Sequence, residues 1–181
     1  LLPSDTEAAV AAIERGVDLI VLTGASETGR KVLRQAAGTL TPAIMELSGC
    51  DAVIVLPNAN LERVADCVIF GLGFNGGATC IAPRRIIAEP READLLKERL
   101  IDRLAQAAPA VVHPAAREAV ASQVCHALAG GAVDVMGNFR EQDLRKSGQM
   151  RPLLLDGVKP EDGIASADLF APVTSRSEEH T

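Results

Sequence analysis

Residues 17–22, Val-Asp-Leu-Ile-Val-Leu, form a nearly continuous apolar run between Gly16 and Gly24. Such a run suits a strand covered on both faces, as in a parallel sheet. A helical pattern follows over 27–37, with Val32 and Leu33 expected inward and Gly38 as the stop. Upstream, residues 6–15 read as a short amphipathic helix, and residues 44–47 as another short strand. The signature recurs at 52–56, Ala-Val-Ile-Val-Leu. There Asn58 or Asn60 can cap a helix over 61–71 with Leu61, Val64 and Val68 on one face. Residues 84–88 read as a strand. Pro90 opens a helix in which Leu96, Leu100 and Leu104 recur at four-residue spacing, and the Ala-rich stretch 114–129 reads as one more helix. Strands alternating with helices predict an α/β fold with a mainly parallel sheet.

Composition narrows the function classes. With 2% aromatics and neither Trp nor Tyr, the core must be built from Val, Ile, Leu and Ala, and aromatic cages or stacking platforms are excluded. A net charge of −6 without a Lys/Arg stripe opposes nucleic-acid binding. No apolar run approaches the ~18 residues of a membrane span, so neither nucleic acid nor membrane is an expected partner. Cys50, Cys67, Cys80 and Cys125 contain no Cys-x-x-Cys pair, which favours reduced thiols in a cytoplasmic protein. His113, His126 and His180 lack partners at metal-ligand spacing, and no metal is expected.

The chemistry concentrates at Cys80, which ends the stretch Phe74-Asn75-Gly76-Gly77-Ala78-Thr79-Cys80. A thiol after a Gly-rich turn can project from open backbone into a cleft, but it is mostly protonated near neutral pH unless amides, a helix end or a base favour the thiolate. Glu46, in Met45-Glu46-Leu47-Ser48-Gly49, is a carboxylate able to activate water if its apolar neighbours bury it. Together, thiol and carboxylate can make and break a thioester. Gly24 and Gly29 bracket a turn between a strand and a helix N-terminus, where unpaired amides suit a pyrophosphate.

In these motifs the chain resembles the aldehyde dehydrogenase superfamily, which carries a Glu-Leu-Gly-Gly general-base motif and a downstream Phe-x-Asn-x-Gly-Gln-x-Cys nucleophile motif. Thr23-Gly24-Ala25-Ser26-Glu27-Thr28-Gly29-Arg30 resembles the family's coenzyme-phosphate turn, and Asp168-Leu169-Phe170-Ala171-Pro172-Val173 its Glu-x-Phe-Gly-Pro-Val segment. The resemblance runs over about 1–174 and is weak over 107–148. It implies a Rossmann-like coenzyme-binding domain followed by an α/β catalytic domain. It further implies Cys80 as nucleophile and Glu46 as base, with NAD or NADP held by Gly24, Ser26, Gly29, Leu47, Asp168 and Phe170. Asp168 would hold the nicotinamide ribose and Phe170 would pack beside the nicotinamide. Ala25 replaces a common hydroxyl residue, Ser48 a Gly, Ala78 a Gln, and Asp168 a Glu one methylene longer.

On this reading residues 1–47 close the coenzyme domain, 48–175 form most of the catalytic domain, and 176–181 are a non-native tail of the kind left by translated adapter sequence. The chain is expected to begin inside the coenzyme domain, with the family's oxyanion Asn and adenosine-binding residues upstream, and to be inactive alone. The parent protein would oxidise a small-molecule aldehyde to an acid and form a homo-oligomer. Hydrolysis is favoured over transfer to coenzyme A, because acylating relatives generally lack the carboxylate at Glu46. The alternatives are a non-catalytic structural homologue and a coenzyme-free thiol esterase using Cys80 and Glu46 alone.

Overall fold

The computed structural model describes residues 5–177, which divide into two compact units between Ser48 and Gly49. In the first unit, α1 (Thr6–Glu14) is capped by Asp5, whose Oδ1 accepts the Ala8 N–H at 2.6 Å. β1 (Ile20–Gly24), α2 (Ser26–Ala37) and β2 (Ala43–Leu47) follow as one β-α-β crossover, with β1 and β2 parallel. The register sets Thr23 beside Glu46 and Gly24 beside Leu47, so both pairs lie at the carboxyl edge of the strands. In open α/β sheets that edge is where ligands bind.

The apolar run at 17–22 predicts a strand buried on both faces, but β1 begins three residues later and is buried only at Ile20. The reason is the two-residue period of a strand. Ile20 packs with Ile13, Ala36, Val32, Ala43 and Met45, while the cross-strand pair Val21 and Ile44 points away from that cluster and is 64% and 49% exposed. In α2, Gly29, Val32 and Ala36 share the inner face at spacings of three and four. Leu33, expected inward, falls off that stripe and is 45% exposed.

The second unit is a five-stranded sheet in the order β3 (Asp51–Val55), β4 (Pro83–Ala88), β9 (Val173–Ser177), β8 (Leu153–Asp156), β6 (Val133–Asp134). Its first three pairings are parallel and only β6 runs antiparallel, against β8. A separate antiparallel pair joins β5 (Ala110–Val111) to β7 (Gln149–Met150). β8 shows why both faces must be covered. Leu153 and Leu155 join a core with Val120 and Val124 of α5 (Pro114–Ala129) and Leu144 of α6 (Glu141–Ser147). Leu154, on the other face, joins Val68 and Leu72 of α3 (Leu61–Gly73) and Leu96, Leu100 and Leu104 of α4 (Pro90–Gln106). Fully burying each such leucine contributes about 1.5–3 kcal/mol. The expected α/β class with a mainly parallel sheet is what the strands form.

Arg176 and Ser177, which the sequence assigns to a non-native tail, belong to β9, in register with Ile86 and Ile87 of β4. Arg176 is buried and donates to Asp156 Oδ1 at 2.5 Å and to Asp94 Oδ1 at 2.9 Å. Burial works to raise the Asp156 carboxyl, but hydrogen bonds from Arg176 and Lys97 outweigh it and hold the group below its ordinary value. The rest of the proposed tail, residues 178–181, lies outside the described residues.

Candidate active site

The turn that carries Cys80 is shaped by where α3 stops. Asn60 starts the helix, its Oδ1 accepting the Arg63 N–H at 3.1 Å. After Gly73 the chain enters a short 3-10 helix (Phe74–Gly77) in which Asn75, Gly76 and Gly77 have φ of 49°, 62° and 73°. Three left-handed residues in succession are costly for ordinary side chains, and Asn and Gly are the types that tolerate them. Asn75 reinforces the turn, its Nδ2 donating to Ala78 O at 3.0 Å. Gly77 is also required by space: a Cβ there would lie 2.6 Å from Ala171 O and 2.7 Å from Pro172 Cα, both backbone atoms. The Gly-rich turn and the Asp168–Val173 segment, far apart in sequence, therefore touch backbone to backbone.

Arg84 of β4 fastens that contact. Its side chain is buried, with Nη1 donating to Ala171 O at 2.5 Å and Nη2 to Gly77 O at 2.6 Å and Thr79 O at 3.2 Å. Burial pulls the guanidinium below its ordinary pKa, and the negative charge of Asp168 acts in the opposite direction. Asp168 Oδ1 is itself buried, with no hydrogen-bond partner among the described residues. An unsatisfied buried acceptor costs about 1–3 kcal/mol, so this oxygen suits a ligand that brings a hydroxyl donor. Phe170, two residues on, is 37% exposed and joins neither apolar cluster of the unit.

All four cysteines are free thiols. Cys80 is exposed at the end of the turn. Cys67 is exposed too, on α3, whereas Cys50 and Cys125 are part-buried. Burial pushes the Cys50 thiol up, against the opposing pull of Arg85 and Arg84, and its Sγ donates to Ala165 O at 3.4 Å. Burial and the neighbouring Glu141 push the Cys125 thiol up as well.

In the first unit, Gly24 ends β1 and Ser26 opens α2, whose N-cap residue Ala25 supplies no side-chain acceptor. The first-turn amides of the helix are thus left without a side-chain cap, a donor set suited to an anion. The Gly29 N–H is already engaged, donating to Ala25 O at 3.0 Å, and a Cβ at Gly29 would meet Leu47 Cδ2 at 2.8 Å. Gly29 therefore serves close helix-to-strand packing, with Leu47 as its partner. Glu46 lies beside Thr23 at the same strand edge with its side chain exposed, where the sequence suggests burial. Strand alternation accounts for this, since Met45 and Leu47 turn to the side of α2 and Glu46 turns away.

Sequence reasoning missed Arg84. Its signal was a charged residue inside a run, Arg-Arg-Ile-Ile-Ala, that otherwise reads as a buried strand.

The family model for the aldehyde dehydrogenase family matches residues 1–178. Vanillin dehydrogenase of Pseudomonas fluorescens is 30% identical over 162 residues, covering 83% of this chain and 33% of the relative. Among solved structures, the NAD-dependent aldehyde dehydrogenase from Sinorhizobium meliloti superposes with a TM-score of 0.86 at 28% identity, over 97% of this chain and 37% of that one. The NADP-dependent glyceraldehyde-3-phosphate dehydrogenase from Bacillus halodurans C-125, complexed with NADP, gives 0.84 at 27% identity, over 95% and 37%. The chain spans about a third of the length of the curated relatives it matches. A family model that matches residues 1–178, nearly the whole chain, means that this chain belongs to the aldehyde dehydrogenase family.

Proposed function

We propose that this chain carries the nucleophile, the base and part of the coenzyme site of an enzyme that oxidises a small-molecule aldehyde to a carboxylic acid with NAD or NADP. The observation that carries the reading is the exposed Cys80 thiol, on a turn that requires glycine at Gly77 and that is tied to the segment bearing Asp168. The residues present fit the coenzyme. The orphaned Asp168 Oδ1 suits the ribose hydroxyls, with Phe170 beside the nicotinamide. Gly24 and Ser26, at the uncapped start of α2, suit the pyrophosphate, with Gly29 and Leu47 setting the helix against the strand. When bound, NAD(P)+ supplies the two-electron acceptor that removes the aldehyde hydrogen as hydride.

The protein's own part begins with Cys80. Its thiol first passes its proton to solvent water, the resulting thiolate sulfur forms a bond to the carbonyl carbon, and the carbonyl π pair moves onto oxygen. The backbone N–H of Cys80 is a donor available to that oxygen. After oxidation the acyl group remains on Cys80 as a thioester. Glu46 then takes a proton from the attacking water, the carbon–sulfur bond breaks, and the acid leaves with Cys80 restored as thiolate. Residues 1–47 are the end of the coenzyme domain on this reading and 48–175 the catalytic domain. Homo-oligomeric assembly and a cytoplasmic location complete the proposal. Four free thiols suit a reducing compartment, and among the described residues no helix is long and apolar enough to cross a membrane.

The test is Cys80→Ser in the full-length protein. Aldehyde oxidation should disappear while coenzyme binding, followed by fluorescence titration, persists. Substantial turnover in that variant would rule out the assigned nucleophile.

A further inference from the structure

Arg84 is an unusual occupant of a central strand. It is 3% exposed, and its two terminal nitrogens donate to three backbone carbonyls, at Ala171, Gly77 and Thr79. Taking a guanidinium out of water costs several kcal/mol, and backbone carbonyls return less of that than a paired carboxylate does. Packing alone would be served as well by an apolar residue. The carbonyls it holds are therefore informative. Gly77 and Thr79 belong to the turn of Cys80, and Thr79 O is the carbonyl of the very peptide that supplies the Cys80 N–H.

That peptide is planar and trans, so its C=O and N–H point in opposite directions. Arg84 draws Thr79 O toward the buried side of the turn, and the Ala82 N–H, donating to the same oxygen at 3.3 Å, pulls the same way. The Cys80 N–H is thereby turned toward the open side, where the thiol is exposed, and it donates to no described residue. The bond from Arg84 to Ala171 O fixes the same guanidinium to the neighbouring segment, so the peptide cannot rotate by carrying the arginine with it.

We propose that Arg84 is a positioning residue for acyl chemistry at Cys80. By holding the Thr79 carbonyl inward it aims the Cys80 amide at the carbonyl oxygen of the group that the thiol attacks. The inference rests on Cys80 being the nucleophile and adds to it the group that orients its oxyanion donor. When the sulfur–carbon bond forms and the carbonyl π pair becomes an oxygen lone pair, the amide is already pointed at the developing charge.

Two coenzyme-free reactions of the full-length protein separate this role from a merely structural one. Acyl transfer from p-nitrophenyl acetate passes through a tetrahedral oxyanion. Alkylation by iodoacetamide is a direct displacement at a saturated carbon and passes through none. Loss of a single oxyanion donor slows turnover by about 10²–10³, so a misaimed one in Arg84→Gln should slow acyl transfer by roughly tenfold or more. The alkylation rate of Cys80 should change by less than about twofold. Arg84→Lys, which keeps a charge but reaches fewer carbonyls, should fall between. Equal slowing of both reactions, or of neither, overturns the proposal. So does failure of both variants to fold, since that would make Arg84 structural. Cys80→Ser is the separate control: acyl transfer that survives it removes the nucleophile, whatever the arginine variants do.

Discussion

Gly77→Ala should be among the most damaging single-methyl additions to this chain, and a second glycine allows its cost to be dissected. Gly77 has φ of +73° and Gly157 has φ of +71°, so alanine at either position carries the same left-handed penalty, about 1–2 kcal/mol. At Gly157 the added Cβ meets nothing within 4 Å. At Gly77 it would lie 2.6, 2.7 and 2.8 Å from Ala171 O, Pro172 Cα and Ala171 C, none of which can rotate away. Relieving such an overlap means moving backbone, and overpacking of this kind costs about 1–3 kcal/mol. Gly157→Ala should therefore destabilise by about 1–2 kcal/mol and Gly77→Ala by about 2–5, a large share of the ~5–15 kcal/mol of a typical domain. Urea denaturation of both variants, with the slope checked for constancy, reads the difference. Gly77→Ala should also separate the Cys80 turn from the Asp168 segment and lower acyl transfer, which Gly157→Ala should not. Equal destabilisation of the two variants would refute the backbone contact.

Timed alkylation mapped by mass spectrometry should label Cys80 fastest and leave Cys50 and Cys125 slowest, because burial pushes both of those thiols up. Cys67, exposed on a helix flank, is the demanding comparison, and labelling of Cys67 ahead of Cys80 would count against the turn as an activating environment. The Asp156 carboxyl is held below its ordinary value in the folded protein, so it adds stability above about pH 3.9 that is lost as pH falls through the depressed value. Asp156→Asn should accordingly be less stable at pH 7 by about 1–3 kcal/mol and show a shallower acid-unfolding curve. An unchanged curve would mean that the pair with Arg176 contributes nothing. Amide hydrogen exchange should be faster through β1, α2 and β2 than through β4, β8 and β9. Among the described residues the first unit has only Ile13, Ile20 and Ala36 as buried apolar side chains, against two extensive clusters in the second. Equal protection in both units would contradict that difference in cores.

The first five helices and the first four strands were legible because their signals are local, whereas α6, only two turns long, shows no periodicity to read. Asn60 capping α3, Pro90 opening α4, the leucine repeat in α4 and the short apolar runs of β3 and β4 all declare themselves within a few residues. β9 did not, because Val-Thr-Ser-Arg-Ser has the composition of a loop yet is buried at every position in the middle of the sheet. Of its polar side chains, Ser175 and Arg176 find distant partners, Ser175 Oγ donating to Arg84 O at 3.2 Å and Arg176 reaching Asp94 and Asp156, while Thr174 Oγ1 is buried with no partner among the described residues. Such long-range satisfaction leaves no periodicity to read. The site shows the same division. Cys80 and its glycines stand out in the sequence, but the reason Gly77 must be glycine lies in a segment almost a hundred residues away. Arg84 reads as strand until its three carbonyl partners are seen. The exposure of Glu46 follows from strand alternation, which the apolar neighbours Met45 and Leu47 obscure when only composition is considered.

The central claim is that an acyl group resides on Cys80 and that Glu46 governs its release. It is tested most directly by trapping that species in the full-length protein. Glu46→Gln should leave acylation intact and slow hydrolysis. A quench within the first turnovers, followed by peptide mapping, should then find about one equivalent of acyl adduct per site on the peptide carrying Cys80, with reduced coenzyme appearing ahead of free acid. An adduct on Cys67, or wild-type release of acid with no adduct at Cys80, would contradict the account.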